Sequence, residues 1–174
     1  LLAIGLSLFL MMIYVAFRFR MKLAVGAVVS LVHDVLFTVG AFAIFGFPFD
    51  LTVLAAVLAL IGYSLNDTIV IFDRVRENFR KLRKADAIEI VDISLTETLR
   101  RTIMTVGTVL VVVVAMLWLG GPALRWFSVA MMIGLFAGTY SSIYIATSYA
   151  LMMGLDKEDF IEKPKSELVE ETFD

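Results

Sequence analysis

The chain alternates between long apolar stretches and short polar connections. Each stretch is close to the roughly 20 residues that an α-helix needs to cross a membrane. The stretches carry no charge or only isolated ionisable residues, and they cover residues 1–17, 23–45, 51–73, 101–119 and 123–153. Turn-forming residues separate the second stretch from the third and the fourth from the fifth: Gly46, Pro48 and Asp50, then Gly120, Gly121 and Pro122. We therefore expect an all-α integral membrane protein with five transmembrane helices in residues 1–155.

Residues 74–100 form the one long connection between the predicted spans. Its first half interleaves Arg76 and Arg80 with apolar residues such as Phe79, a pattern typical of a basic amphipathic helix at a membrane surface. Such a helix either rests on anionic lipid or continues the third span, and we favour these two interpretations over docking of a protein. Residues 156–174 form an acidic tail, which we expect to be solvated.

Basic residues lie almost entirely on one side of the predicted bundle. Of the 15 Lys and Arg residues, only Arg125 falls in a connection on the opposite side. Because Lys and Arg accumulate in cytoplasmic connections, we expect the connection at 74–100 and the C-terminus to be cytoplasmic. Leu1 lies inside the first apolar stretch, so we expect an exported segment upstream and no cleaved signal peptide.

Composition narrows the range of functions. With 60% hydrophobic and 18% charged residues, the chain departs from soluble domains, which are about 45–50% apolar and about 25% charged. The formal net charge of −2 argues against nucleic acid as a partner. The chain has no Cys and one His, which excludes disulfides, thiol catalysis and the usual zinc centres. Familiar catalytic motifs are absent, so we expect a protein that is not an enzyme and that has no metal and no cofactor.

Asp67 is the most informative polar residue in the predicted spans. It lies six residues before Asp73, at the cytoplasmic end of the third span, and follows Asn66. A charged residue inside the bilayer costs roughly 2.5–3.5 kcal/mol on insertion scales, so such residues face the bundle interior and mark ion paths. Because partial desolvation favours the neutral carboxyl group, Asp67 can bind and release a proton. The alternative is an Asp that only hydrogen-bonds a neighbouring helix.

Two further charged residues lie within reach of the same region. Arg101 starts the fourth span, and its flexible side chain could reach the level of Asp67; from the residues alone, we interpret it as an anchor at the membrane interface. Asp34 follows His33 near the middle of the second span. The residues that share a helix face with Asp34 at four-residue spacing are Gly26, Ser30 and Thr38. For Asp34, ion handling and a structural role are equally open.

Small residues recur at helical spacing in two predicted spans. On the third span they are Ala55, Ala59, Gly62 and Asn66, and on the fifth span they are Gly134, Gly138 and Ser142. Small residues let helices approach closely. We interpret both faces as packing surfaces, and we expect Asp67 to lie at a seam between helices rather than toward lipid.

The run GYSLNDTIVIFDRVREN at residues 62–78 resembles the signature of the SecF family of bacterial protein-export membrane subunits. Three shorter runs support the resemblance: HDV at 33–35, TLRRTI at 98–103 and GTYSSIY at 138–144. The resemblance covers essentially the whole chain and corresponds to the second to sixth spans of the family. It implies that the family's first span and large periplasmic domain are missing from this chain.

The resemblance implies a fold similar to the transmembrane bundle of RND-superfamily transporters and a place in the bacterial inner membrane. It implies SecD as a partner, and the SecYEG channel, YajC and the translocating preprotein as further partners. It also implies that the proton-motive force drives the contribution to preprotein translocation, with H⁺ as the coupling ion and Na⁺ as the alternative. By motif position, it implies that Asp67 and Arg101 belong to the proton pathway, with Asn66 in a supporting role and Asp34 less firmly placed.

Two other functions stay open on the sequence. A structural scaffold could hold SecD at the translocon without handling protons, and half of an RND-type exporter could move small solutes. Replacement of Asp67 by Asn in an assembled complex separates the scaffold from the proton-coupled subunit.

Overall fold

A computed structural model describes residues 6, 10, 13–14, 17–19, 21–82, 84–156 and 159–160. Its long helices are α1 at Met21–Phe45, α2 at Leu51–Lys81, α3 at Ala87–Leu119 and α4 at Gly121–Tyr140. A π-helical turn at Ser141–Ile145 joins α4 to the short helix α5 at Ala146–Met152. Helices α1, α2 and α3 and the combined run Gly121–Met152 are each long and apolar enough to cross a membrane.

These four helices agree with the second to fifth predicted spans. The predicted first span, residues 1–17, and the acidic tail, residues 156–174, lie mostly outside the described residues. The predicted first span, and with it the total of five spans, therefore stays a prediction. The structure contains four helices of membrane-spanning length within the part of the chain that it describes.

The connection predicted at residues 74–100 is much shorter than expected. Because α2 continues to Lys81 and α3 begins at Ala87, only residues 82–86 link the two helices. The prediction of a separate amphipathic helix between the third and fourth spans is therefore wrong for the described residues. Residues 74–81 instead continue the third span, which is one of the two interpretations that the sequence favours; they contain no Gly or Pro to interrupt the helix.

Local capping and glycine conformation explain where the helices begin and end. The Oδ1 atom of Asp50 accepts hydrogen bonds from the backbone N of Thr52 at 2.9 Å and of Val53 at 3.0 Å, which satisfies two free donors at the start of α2. Gly46 has a φ of 63° and Gly121 a φ of 67°. This left-handed conformation favours glycine, and it lets the chain reverse direction at both predicted turns.

Polar side chains join α2 to α3 at the basic end of the bundle. Arg74 Nε donates to Glu97 Oε2 at 2.6 Å, and Asn78 Nδ2 donates to the same oxygen at 2.8 Å. Helices α2 and α3 run antiparallel, so with Arg74 opposite Glu97 the residue opposite Asp67 is Met104. Arg101 lies three residues from Met104 toward the basic end, a distance of about 4.5 Å along the helix. These contacts therefore set the register that brings Arg101 near Asp67.

Two apolar clusters fill the bundle on either side of its middle. Toward the turn between α1 and α2, the main members are Phe42, Val53, Leu60, Val113 and Leu135. Toward the basic end, they include Leu23, Leu31, Phe72, Phe79, Ile90 and Ala146. Glycines allow the closest contacts: a Cβ on Gly134 would overlap the side chain of Leu60, and one on Gly26 would lie 2.5 Å from the carbonyl oxygen of Ala146.

Helix α3 is the least covered of the long helices. Its exposed large apolar residues include Ile103, Met104, Val111, Val112, Trp118 and Leu119. Since four described helices leave this much apolar surface uncovered, α3 faces lipid or another chain rather than the interior of this bundle.

Candidate functional site

Asp34 is the centre of a buried polar cluster between α1, α2 and the end of α4. The residue is 1% exposed. Ser64 Oγ donates to Asp34 Oδ2 at 2.5 Å, and Nδ1 of His33 lies 3.2 Å from Asp34 Oδ1. Both carboxyl oxygens therefore have a hydrogen-bonding partner, which is the condition for burying such a group at low cost.

The face of α1 that contains Asp34 points into the bundle. Gly26, Ser30, Asp34 and Thr38 are all buried. Across from Asp34, a Cβ on Gly138 would lie 3.5 Å from Asp34 Oδ2. The absence of a side chain at Gly138 therefore leaves the room that the carboxyl group occupies.

The π-helical turn adds two consecutive buried serines to this cluster. Ser30 Oγ donates to Ser141 Oγ at 2.9 Å, and the hydroxyl oxygens of Ser142 and Thr68 lie 2.9 Å apart. Successive residues in a helix point in different directions, so Ser141 reaches α1 while Ser142 reaches α2. The turn thus ties both helices to the end of α4, and π-helical turns of this kind are frequent at functional sites.

Asp67 lies one turn of α2 beyond Ser64 and has a different environment. The residue is 5% exposed, yet no hydrogen bond or ion pair of its carboxylate is found within the part of the chain that the structure describes. The hydroxyl group of Tyr63, on the preceding turn, is likewise buried, and its polar neighbour is Thr105 on α3. An unpaired buried carboxyl group is costly to keep charged, so a change of its proton occupancy is the chemistry that this site favours.

Arg101 lies near Asp67 without pairing with it. Its charge acts electrostatically on the Asp67 carboxylate, but the two side chains form no ion pair in the described structure, and Arg101 is exposed. Asn66 is also exposed. The structure therefore brings the predicted pair of Asp67 and Arg101 to one region and leaves Asn66 on the outer face of α2.

The two predicted small-residue faces are placed differently. On the fifth predicted span, Gly134, Gly138 and Ser142 are all buried against other helices. On α2, the face formed by Ala55, Ala59, Gly62 and Asn66 is exposed, and nothing lies within 4 Å of a Cβ on Gly62. Within the described residues this second face has no helix against it, so its role in packing stays a prediction.

Sequence reasoning missed the hydroxyl residues of this cluster. Ser64, Ser141 and Thr68 are about as buried as Asp34 itself, but single hydroxyl residues in apolar spans carry no signal that distinguishes them. As for a metal, no three His, Asp or Glu side chains converge anywhere in the described parts of the chain.

This bundle of apolar helices around a buried polar seam defines a multi-pass membrane protein. The family model described as "Protein export membrane protein SecD/SecF, C-terminal" matches residues 1–156. The chain therefore belongs to the SecD/SecF protein-export membrane family.

Individual relatives agree with the family assignment. The chain is 53% identical over 160 residues to the protein translocase subunit SecF of Pseudomonas aeruginosa, covering 92% of this chain and 52% of the relative. It is 50% identical over 157 residues to the corresponding subunit of Vibrio alginolyticus, covering 90% of this chain and 50% of the relative. The chain thus spans about half the length of these curated relatives.

Solved structures show the same fold. The crystal structure of SecDF from Thermus thermophilus, a translocon-associated membrane protein, matches with a TM-score of 0.82 and 41% identity over 87% of this chain and 21% of that chain. A crystal structure of SecDF in a super-membrane-facing form matches with a TM-score of 0.79 and 42% identity over 83% of this chain and 20% of that chain.

Proposed function

We propose that this chain is the membrane-embedded part of a SecF subunit that promotes preprotein translocation across the bacterial inner membrane, and that Asp67 couples this work to the proton-motive force. The observation that carries the proposal is the contrast between the two buried acids. Asp34 has partners on both carboxyl oxygens, whereas Asp67 has none among the described residues. A carboxyl group without fixed partners can change its protonation state without breaking a hydrogen-bond network.

Arg101 supplies the charge that makes the protonation of Asp67 sensitive to conformation. The guanidinium group stays charged throughout, and it acts on the carboxylate from α3 without contacting it. A shift of α3 toward α2 favours the ionised acid, and a shift away favours the neutral acid. Asp67 then takes up a proton in one arrangement of the helices and releases it in the other.

The available energy is sufficient for such a rearrangement. One elementary charge moving across 100 mV provides about 2.3 kcal/mol. This matches the gap of a few kcal/mol that separates two packings of a bistable bundle. H⁺ is the coupling ion in this proposal, and Na⁺ is the alternative because a carboxylate binds both.

The uncovered surfaces support SecD as the partner. The exposed face of α2 at Ala55, Ala59 and Gly62 is made of small residues that allow close helix contact, and it lies on the same helix as Asp67. We propose that a helix of SecD packs there, with Asn66 in the contact, and that the SecYEG channel and YajC associate with the assembled pair. We also propose that the C-terminus is cytoplasmic, because it lies on the same side of the bundle as most of the Lys and Arg residues.

For Asp34 we propose a structural function. Its Ser64 contact and its position against Gly138 connect three elements of the bundle, which suits a fixed node around which other helices move. Asp34 therefore supports the proton pathway at Asp67 indirectly, by holding α1, α2 and α4 together.

Replacement of Asp67 by Asn tests the proton role. The variant complex should still assemble with SecD, while translocation that depends on the proton-motive force in inverted vesicles should fall to the level seen without a gradient. Asp92→Asn is the matched control, since Asp92 is an exposed acid on α3; it should translocate normally.

A normally translocating Asp67→Asn complex would instead leave the chain as a scaffold for SecD. Exchange of H⁺ for Na⁺ gradients in the same vesicles identifies the coupling ion. Half of an RND-type solute exporter would show gradient-dependent solute efflux without preprotein.

A further inference from the structure

A cleft of about 250 Å³ opens at the basic end of the bundle, between α2, the start of α1 with the residues before it, and the residues that follow α5. Its lining includes Phe17, Arg18, Arg76, Arg80 and Asp159. We call this cavity the basic cleft. Three guanidinium groups and one carboxylate line the cleft, and two of the guanidinium groups, those of Arg76 and Arg80, form no ion pair among the described residues, so the cleft is electropositive. A cavity of this size admits a phosphate group with its substituents.

The basic residues of the cleft are engaged to different degrees. Arg18 Nη2 donates to both carboxyl oxygens of Asp73, at 2.7 and 2.9 Å. Arg76 and Arg80 make no ion pair or hydrogen bond within the described part of the chain. They lie on successive turns of α2 and line the same cleft. Two neighbouring guanidinium groups present a fork of N–H donors that suits the oxygens of a phosphate group.

The depth of these residues places them among lipid headgroups. A hydrocarbon core of about 30 Å spans about 20 helical residues, so the core that begins at Leu51 ends near residue 71. Arg76 then lies about 7 Å beyond the hydrocarbon, in the headgroup layer, and Arg80 lies one turn further out. A phospholipid phosphate is therefore present at this level in any bilayer.

An apolar surface adjoins the basic cleft. Phe17 is 90% exposed and Met21 is 69% exposed. A small soluble anion would contact only the two arginines and would make no contact with these apolar side chains. A phospholipid covers both parts, because its acyl chains continue from the phosphate along the apolar side chains.

We propose that the basic cleft binds the headgroup of an anionic phospholipid, with Arg76 and Arg80 holding its phosphate and Phe17 contacting its acyl chains. Pockets of this kind between membrane helices are typical sites for anionic headgroups. The site lies more than two turns of α2 from Asp67, and the inference does not depend on the proton role of that residue.

The test measures lipid retention by the complete protein as it is expressed in its membrane. Purified protein in neutral detergent is titrated with dioleoyl phosphatidylglycerol or dioleoyl phosphatidylcholine, and bound lipid is counted by native mass spectrometry. The unchanged protein should retain one phosphatidylglycerol in preference to phosphatidylcholine. The double variant Arg76→Gln and Arg80→Gln should bind it about 25-fold more weakly, from about 1 kcal/mol for each basic residue at 1.4 kcal/mol per factor of ten.

Matched variants separate this site from general surface charge and from misfolding. Lys84→Gln with Arg100→Gln removes the same charge from two exposed positions outside the cleft, and it should leave retention unchanged. Arg76→Lys with Arg80→Lys keeps the charge but loses the planar fork of donors, so it should bind the lipid more weakly than the unchanged protein and more tightly than the Gln variant. Equal loss in the two Gln variants, or no preference over phosphatidylcholine, would overturn the proposal.

Two competitors identify other occupants. Millimolar inorganic phosphate should not displace the lipid; if it does, the cleft is a site for a small anion. A synthetic peptide with the sequence of residues 161–174 should also fail to displace it, and displacement would show that the cleft binds an acidic peptide instead.

Discussion

The hydrogen bond from Ser64 to Asp34 allows a direct test of the buried polar cluster. Ser64→Ala removes the hydroxyl group that donates to Asp34 Oδ2 at 2.5 Å. Both residues are almost fully buried, at 2% and 1% exposure. In the variant, the carboxyl group keeps only its contact with His33 on the other oxygen, so one buried acceptor loses its donor.

The expected loss follows from two ranges. A hydrogen bond to a charged group contributes about 1.5–3 kcal/mol in soluble proteins, whereas double-mutant cycles inside a membrane protein average about 0.6 and reach about 1.7 kcal/mol. The membrane range applies here, and the short bond to a carboxyl group belongs at its upper end. We expect Ser64→Ala to lower the free energy of unfolding by about 1.5 kcal/mol, roughly a tenfold change in the equilibrium between folded and unfolded protein.

Unfolding by sodium dodecyl sulfate in mixed micelles, followed by circular dichroism, measures this loss. Ser128→Ala is the matched control, since Ser128 is fully buried but its hydroxyl group donates to Leu124 within the same helix; such local bonds add little to helix stability. A double-mutant cycle with Asp34→Ala should give a coupling energy near the loss seen for Ser64→Ala. A coupling below about 0.3 kcal/mol, or equal losses in Ser64→Ala and Ser128→Ala, would refute the reasoning.

Two other positions give sharp expectations. Gly26→Ala places a methyl group against the carbonyl oxygen of Ala146 and should destabilise the protein by about 1–3 kcal/mol in the same unfolding assay. In the control Gly40→Ala, the added methyl group meets nothing within 4 Å, so this variant should be neutral or stabilised by up to about 1 kcal/mol. Equal effects of the two substitutions would contradict the close contact at Gly26. Hydrogen bonds from Thr52 and Val53 lower the pKa of Asp50 below its ordinary value, so the cap should persist above the ordinary pKa and be lost as the pH falls through the lowered one. Amide protection at the start of α2 should follow this titration, and Asp50→Asn, which caps without titrating, should remove the acid dependence; an unchanged pH profile in that variant would show that another group is responsible.

The sequence and the structure agree best where a single helix decides the outcome. The sequence predicts one span at residues 23–45, and the structure has a single helix at Met21–Phe45. The two agree because the length of an apolar run can be read from the sequence without knowing which helices pack against it. The end of the third span shows the limit of this reasoning. Charged residues from Arg74 onward mark the edge of the hydrocarbon, but helix formation does not stop there, since Arg74 finds Glu97 and Glu77 as partners at the surface.

The amino-acid sequence by itself determined the membrane class, four of the helices, the turns at Gly46 and Gly121, and the family to which the chain belongs. These depend on hydropathy, on backbone preferences and on motifs, all of which are local. The tertiary structure decided which polar groups meet. It paired Ser64 with Asp34 and Ser142 with Thr68, left Asp67 without a described partner, and exposed the face at Ala55 and Ala59. These outcomes depend on how each helix is rotated against the others, and that rotation results from the packing of all helices together.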